Sequence, residues 1–111
     1  EGERALGMPI KRVFAVSGVP AGGLRGDHAH RWCTQTVVCL HGRVTITLDD
    51  ARRTTMVVLD EPGLGVSIPP GIWNRLAFDG PDCVVIVFCD KPYDEADYLR
   101  DRGEYERLRG A

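Results

Sequence analysis

The chain has 111 residues, of which 43% are hydrophobic and 27% charged, and its formal net charge at pH 7 is -2. This length fits one domain and is too short for two. The slightly negative charge argues against a general nucleic-acid binder, and the sequence holds no apolar run of about eighteen residues that would cross a membrane.

Short extended segments separated by turn signals fill residues 10–90. Val44, Ile46 and Leu48 alternate with threonines, which is the period of a half-buried strand. Residues 83–90 form a continuous apolar run that is typical of a central strand. The strands are predicted within 11–18, 34–40, 43–50, 54–63, 65–71 and 83–90, with a turn at His41–Gly42. Strands at this spacing predict an all-β sandwich or barrel.

The tail after residue 92 has a different character, because charged residues replace the apolar alternation. Asp94 is predicted to cap a short helix, with Asp97 near its positive end and Gly103 weakening it. We expect the tail tyrosines to pack this segment against the barrel or a partner subunit; they are Tyr93, Tyr98 and Tyr105.

Four cysteines, Cys33, Cys39, Cys83 and Cys89, form no C-x-x-C pair. That spacing disfavours a zinc site and predicts buried free thiols of a reducing compartment. The opening residues also lack the apolar core and cleavage site of a signal peptide. We therefore expect a cytoplasmic protein.

Two of the three histidines stand one residue apart. His28 and His30 differ by two, so on a strand both imidazoles point to the same face. The third, His41, lies in a turn and is expected to be solvated, with no role in chemistry. An isolated pair of this kind is more often a solvent-facing feature than a site, and the surrounding residues must decide.

Two longer patterns surround that pair. Residues 23–42 read G-x4-H-x-H-x4-Q-x6-G, and residues 63–78 read G-x5-P-x-G-x2-N-x3-F. Together they resemble the two motifs of the cupin superfamily, which implies a double-stranded β-helix, a jelly-roll barrel, here followed by a short C-terminal helix. On this reading residues 1–111 form one domain, with the barrel core at 9–92 and the tail at 93–109.

The chain departs from the metal-binding form of these motifs. Gln35 stands where the resemblance implies a glutamate ligand, and Asn74 where it implies the last histidine. Amides are poor ligands for transition metals compared with carboxylate and imidazole. We therefore expect no metal and no other cofactor.

What remains is a pair of imidazoles that we expect at the barrel mouth, with Arg25, Gly26 and Trp73 converging there. Imidazole transfers protons well near neutral pH. Two of them can remove a proton at one carbon and return it at the neighbouring carbon, which moves a carbonyl group through an enediol.

A narrower resemblance points to the same chemistry. "KRVFAV", "RGDHAH", "IPPGIWNRL" and "YDEADYLRDRGEY" occur in this order. They resemble the bacterial dTDP-4-keto-6-deoxyglucose 3,4-ketoisomerases of the FdtA, QdtA and WxcM-like group, over residues 9–107. The resemblance implies metal-free catalysis by His28 and His30 on a dTDP-linked keto-deoxysugar, in a homodimer with exchanged strands. His30 is our first choice for the base at C3, and His28 would move a proton between oxygens or deliver it at C4.

Supporting roles follow from residue chemistry. Arg25 and Asn74 are candidate donors to an enediolate, Gln35 is a candidate for contacts with a histidine or the sugar, and Trp73 could flank the sugar or the base. Planar cations for the diphosphate are available at Arg12, Arg25 and Arg75. Phe14 and Ala15 stand where members of the group usually carry tyrosine, so a phenol expected in the first strand is missing.

Three other functions fit parts of the pattern. A 3,5-epimerase acting on the same substrate would also remove a proton next to the carbonyl. A non-catalytic cupin that binds sugar nucleotides or carbohydrate is favoured by the missing tyrosine. A metal-dependent cupin dioxygenase would need stoichiometric iron or nickel.

Overall fold

Nine β-strands form two antiparallel sheets in the computed structural model, which describes residues 6–110. The four-stranded sheet has the order β1-β8-β3-β6, and the five-stranded sheet has the order β5-β4-β7-β2-β9. The strands are β1 (Arg12–Val16), β2 (Leu24–His30), β3 (Gln35–His41), β4 (Val44–Asp49), β5 (Thr54–Leu59), β6 (Gly65–Ile68), β7 (Trp73–Phe78), β8 (Val84–Cys89) and β9 (Tyr98–Leu99). The predicted all-β class is confirmed. The predicted outer limits of the domain, residues 1 and 111, lie outside the described residues.

The core lies between the two sheets and follows the alternation of the strands. Val44 and Ile46 of β4 are completely buried, as their spacing predicts, and Val85 and Val87 of β8 pack against them from the other sheet. The predicted central position of β8 is confirmed, because it pairs with β1 on one side and β3 on the other. All four cysteines are buried free thiols, which confirms that prediction.

The tail differs from its prediction. Asp94 caps only a 3-10 turn (Glu95–Asp97), and the chain then pairs with β2 as β9 before α1 (Arg102–Leu108) begins at its own cap, Asp101. The predicted single helix starting at Asp94 is therefore wrong, because backbone pairing with β2 interrupts it. Within residues 6–110 no helix is long and apolar enough to cross a membrane.

Tyr105 holds the tail on the five-stranded sheet. It is fully buried, and its hydroxyl lies 2.8 Å from the carbonyl of Asp49 and 2.7 Å from that of Gly71. It confirms the packing role predicted for a tail tyrosine. Tyr93 is 56% exposed, and Tyr98 lies elsewhere, beside the histidine pair.

Candidate active site

A β-bulge in β2 aims the histidine pair into the barrel. The pairing of β2 with β7 shifts register between Gly26 and His28, and both Gly26 and Asp27 adopt left-handed backbone, with φ of 82° and 61°. After the bulge, His28 lies opposite Asn74. Bulges of this kind re-aim side chains next to active sites.

Position 26 requires glycine for two reasons. Its positive φ is unfavourable for residues with a side chain, and a Cβ there would lie 3.0 Å from Oδ1 of Asn74. The glycine therefore lets the strand approach Asn74 closely while it turns His28 inward.

The two imidazoles form one cluster with Tyr98. The ring centroids of His28 and His30 are 5.1 Å apart at 88°, and Tyr98 lies 5.0 Å from the first ring and 4.5 Å from the second. Ala29, between the histidines, packs to the opposite side against Trp73, Leu99 and Tyr105. The prediction that both imidazoles share one face, turned away from solvent, is confirmed.

His30 forms a buried dyad with Asp97. Nδ1 of His30 lies 2.7 Å from Oδ2 of Asp97, and the two side chains are 5% and 3% exposed. The other carboxylate oxygen accepts hydrogen bonds from the backbone N–H groups of Trp32 at 2.7 Å and Cys33 at 3.3 Å. Burial alone would raise the pKa of Asp97, but these hydrogen bonds, together with that from His30, hold it below its usual value. The carboxylate is thus ionised and fixes the orientation of the imidazole.

His28 is held neutral. Burial, followed by electrostatic repulsion from the neighbouring His30 and Arg100, lowers the pKa of His28 from 6.5 to about 4. Nδ1 of His28 and Nε2 of His30 are buried and have no hydrogen-bond partner among residues 6–110. Buried polar atoms are usually paired, so these two nitrogens mark a place where a ligand can bind.

His28 lines a small cavity of about 80 Å³ between the sheets. Arg25, Gln35 and Asn74 line it as well, as predicted, and Tyr98 and Phe14 complete its polar and aromatic wall. Arg12 is placed next to it, because its Nη1 donates a hydrogen bond of 3.2 Å to the hydroxyl of Tyr98. Four of the six predicted binding residues therefore lie in or beside this cavity.

Trp73 and Arg75 do not line the cavity beside His28. They lie in a separate groove of about 390 Å³ on the outer side of the five-stranded sheet, where Nε1 of Trp73 donates to Asp27 at 3.0 Å. The prediction that Trp73 converges with the histidines is wrong. Side chains alternate along β7, and Asn74 points inward, so its two neighbours in sequence point outward.

The donor atoms at the site do not fit a divalent metal. The amide nitrogen of Gln35 donates to Sγ of Cys89 at 3.4 Å, and that of Asn74 donates to the carbonyl of His28 at 3.2 Å. These neutral amides stand beside two imidazoles and complete no metal-binding set.

A second group, His30, Cys33 and Asp97, brings three possible ligand atoms within 4.8 Å of one another. Here the carboxylate already accepts three N–H hydrogen bonds, and burial raises the pKa of the Cys33 thiol to about 12. A protonated thiol and an occupied carboxylate are a poor metal site.

Sequence reasoning missed Asp97 and Tyr98 as site residues. Both belong to the quoted segment "YDEADY", but their acid and phenol were assigned to helix capping and tail packing. They reach the site only because β9 pairs with the end of β2, where His30 lies opposite Tyr98. His41 is exposed, as predicted.

Comparison with known proteins gives a consistent result. The family model described as "FdtA: WxcM-like, C-terminal" matches residues 1–110. The TDP-4-oxo-6-deoxy-alpha-D-glucose-3,4-oxoisomerase of Aneurinibacillus thermoaerophilus is 32% identical over 107 residues, which cover 96% of this chain and 77% of that protein.

Solved structures of QdtA, a sugar 3,4-ketoisomerase from Thermoanaerobacterium thermosaccharolyticum, are also similar. The TDP complex is 33% identical, with a TM-score of 0.87 over 91% of this chain and 74% of the other. A histidine-to-asparagine mutant in complex with TDP-4-keto-6-deoxyglucose is 33% identical, with a TM-score of 0.85 over 89% of this chain and 72% of the other.

Proposed function

The chain belongs to the FdtA family of WxcM-like, C-terminal proteins, and from this premise we propose that it is a sugar-nucleotide 3,4-ketoisomerase. The reaction converts TDP-4-keto-6-deoxy-D-glucose to a TDP-3-keto-6-deoxyhexose. The relatives named above supply the substrate class. The observation that carries the proposal is the buried imidazole pair, with one member oriented by Asp97 and with two ring nitrogens left for a ligand.

The net reaction moves one hydrogen from C3 to C4 and one hydroxyl proton from the oxygen on C3 to the oxygen on C4. His30 removes the C3 proton through Nε2, because its Nδ1–H is donated to Asp97 and leaves Nε2 as the acceptor. The carboxylate stabilises the imidazolium that forms, as in other histidine–carboxylate dyads. His28 carries the second proton, either between the two oxygens or to C4.

The substrate is held by the remaining cavity residues. Arg25 and Asn74 donate to the negative charge that develops on the enediolate oxygens, and Gln35 contacts the sugar. Arg12 and Arg25 bind the diphosphate, because guanidinium groups pair with phosphate oxygens in a planar, bidentate way. Trp73 and Arg75 are left out of this set, since their side chains lie on the outer face of the sheet.

Catalysis is proposed to need no metal. Support comes from the amides at positions 35 and 74 and from the occupied carboxylate of Asp97. Dialysis against a chelator should leave the rate unchanged. Loss of activity on dialysis with recovery on adding iron or nickel would instead favour a metal-dependent cupin.

The native assembly is proposed to be a homodimer with exchanged strands. The outer face of the four-stranded sheet is apolar and only partly covered; it presents Val13, Val38, Leu40, Val84, Ile86 and Phe88. Among the described residues, the free edge of β1 pairs with no other strand. A second copy would cover both the apolar face and the open edge. Light scattering should give twice the chain mass, and Ile86→Asp should reduce it to one.

The protein is proposed to work in the cytoplasm. Its four buried, free thiols suit a reducing compartment. The cellular fraction that contains the native protein is the direct measurement of this proposal.

Product analysis separates the proposed reaction from two of its three rivals, the 3,5-epimerase and the binding module. The 13C spectrum of the product should place the carbonyl at C3 instead of C4. A 3,5-epimerase would leave it at C4 and change the configuration of the ring carbons. A binding module would bind TDP-sugar without turnover. His30→Asn should abolish turnover and retain TDP affinity, whereas the exposed control His41→Asn should leave both unchanged.

A further inference from the structure

The proposed isomerisation needs two proton transfers, and the dyad of His30 and Asp97 accounts for only one of them. The transfer between carbons requires a base, which the dyad of His30 and Asp97 supplies. The transfer between oxygens requires a group that donates a proton to one oxygen and accepts one from its neighbour. His28 is neutral at pH 7, because burial lowers its pKa to about 4, so its single N–H is one candidate for this transfer.

Tyr98 is placed to perform that second transfer. Among the described residues that line the cavity, only His28 and Tyr98 have a side-chain proton that transfers readily, since amides and guanidinium groups hold theirs. The ring of Tyr98 contacts both imidazoles, at 5.0 Å from His28 and 4.5 Å from His30. Tyr98 therefore lines the same cavity as His28 and packs against both imidazoles.

The hydrogen bonding of Tyr98 leaves its proton free for a ligand. Its hydroxyl oxygen accepts from Nη1 of Arg12 at 3.2 Å, and this bond does not use the O–H proton. The guanidinium of Arg100 lies 4.3 Å from the ring centroid. Two guanidinium groups therefore lie against this phenol, one at its hydroxyl and one over its ring.

Backbone pairing fixes the position of this group relative to the base. Tyr98 lies directly opposite His30 in the β2–β9 pair, and the preceding residue, Asp97, binds His30. Adjacent residues of the tail thus supply the carboxylate that orients the base and a phenol that faces the cavity.

We propose, resting on the ketoisomerase function above, that Tyr98 is a third catalytic residue that carries the hydroxyl proton from the oxygen on C3 to the oxygen on C4. Its O–H bond breaks as the C4 carbonyl oxygen is protonated to give the enediol. The phenolate then takes the proton from the hydroxyl on C3 as that oxygen becomes the new carbonyl, and C4 accepts from His30 the proton that was removed from C3. The phenol is restored, and no external oxidant or reductant is required.

Tyr98→Phe keeps the ring against the histidines and removes only the hydroxyl. We expect kcat to fall by about 10²-fold, in the range found for general acid–base groups, while the Kd for TDP, which lacks the sugar, stays the same. Tyr93→Phe is the matched control, because Tyr93 is exposed and its hydroxyl bonds to Glu95 outside the cavity. It should retain wild-type kcat.

A double-mutant cycle with Arg12→Met provides a second test that does not depend on Tyr98→Phe alone. In the wild type this change should lower kcat, because the phenolate loses its partner. In the Tyr98→Phe background the same change should lower kcat by a clearly smaller factor, because only the diphosphate contact of Arg12 remains to be lost. A kcat for Tyr98→Phe within about threefold of wild type, or an equal loss in Tyr93→Phe, would overturn the proposal. Wild-type protein that forms no 3-keto product would instead overturn the proposed function itself, so the two failures are distinct.

Discussion

Replacing Asp97 with asparagine tests how the site sets the protonation of its base. In the structure Oδ1 of Asp97 accepts two backbone N–H groups, from Trp32 and Cys33, and Oδ2 faces Nδ1 of His30 at 2.7 Å. The amide oxygen of asparagine must take over the two backbone hydrogen bonds. Its NH2 group then points at Nδ1, which has to give up its proton to accept.

The consequence is the wrong tautomer of His30. With Nδ1 as an acceptor, the ring proton moves to Nε2, and the nitrogen that should remove the C3 proton becomes a donor. We expect kcat to fall by about 10²- to 10⁴-fold, which corresponds to about 3–5 kcal/mol in the barrier. The affinity for TDP should change little, because Asp97 does not line the cavity.

The same substitution should also change stability and its pH dependence. The hydrogen bonds to Asp97 become bonds to a neutral amide, and this weakening is expected to lower the free energy of unfolding by about 1–3 kcal/mol. Because the pKa of Asp97 is lowered in the folded state, its contribution is present above the ordinary carboxyl pKa and is lost as pH falls through the folded-state value. The variant should therefore lose less stability on acidification than the wild type.

The assay follows product formation by NMR at saturating substrate, together with urea unfolding. Asp94→Asn is the matched control, because Asp94 is exposed and caps the 3-10 turn, a role that asparagine fills equally well. A folded Asp97→Asn protein with kcat within about threefold of wild type would refute the proposed orientation of His30.

Three further predictions concern stability. As pH falls from about 6.5 to 4, the wild type should lose up to about 3 kcal/mol of stability through His28, because its lowered pKa lets only the unfolded chain bind the proton. His28→Gln should lack this loss. Free energies of urea unfolding that change equally with pH in the two proteins would contradict this. Gly26→Ala should lower the free energy of unfolding by about 1–3 kcal/mol, since φ is 82° and the new Cβ meets Asn74 at 3.0 Å, whereas Gly80→Ala enters open space and should change it little. Tyr105→Phe leaves two partly buried carbonyls and a buried backbone N–H without this hydroxyl as a partner, and it should lower the stability by about 1–3 kcal/mol and the thermal midpoint with it. An unchanged midpoint would show that the tail does not depend on this hydroxyl.

The fold was predictable because strand alternation is a local property. Val44 and Ile46 point to the core as their period of two requires, and the apolar run of β8 places it between two other strands. The outer side chains of β8 are apolar as well, so the run alone could not distinguish a strand buried on both faces from one whose outer face is only partly covered.

The site was only partly predictable because its members meet through long-range pairing. His28 and His30 share a face by spacing alone, and their motif context placed Gln35 and Asn74 beside them. Asp97, in contrast, lies 67 residues after His30 in sequence. Only the pairing of β9 with β2 brings it to the imidazole, and a short polar segment gives no local signal of such a two-residue strand.

Errors in the site came from treating neighbours in sequence as neighbours in space. Trp73 follows the second motif's glycine and precedes Asn74, but strand alternation sends the two side chains to opposite faces. The same rule applied to β7 would have kept Asn74 in the cavity and excluded Trp73 and Arg75. Tyr98 shows the opposite error, since a residue assigned to packing contacts both histidines.

The most direct measurement follows hydrogen at C3 and C4 of TDP-4-keto-6-deoxyglucose in D2O, with wild-type protein and His30→Asn side by side. The wild type should yield the 3-keto sugar with deuterium at C4, and the variant should yield neither product nor exchange. If the wild type gave neither exchange nor 3-keto product, proton transfer by this imidazole pair would be contradicted. Undiminished conversion by the variant would contradict it as well.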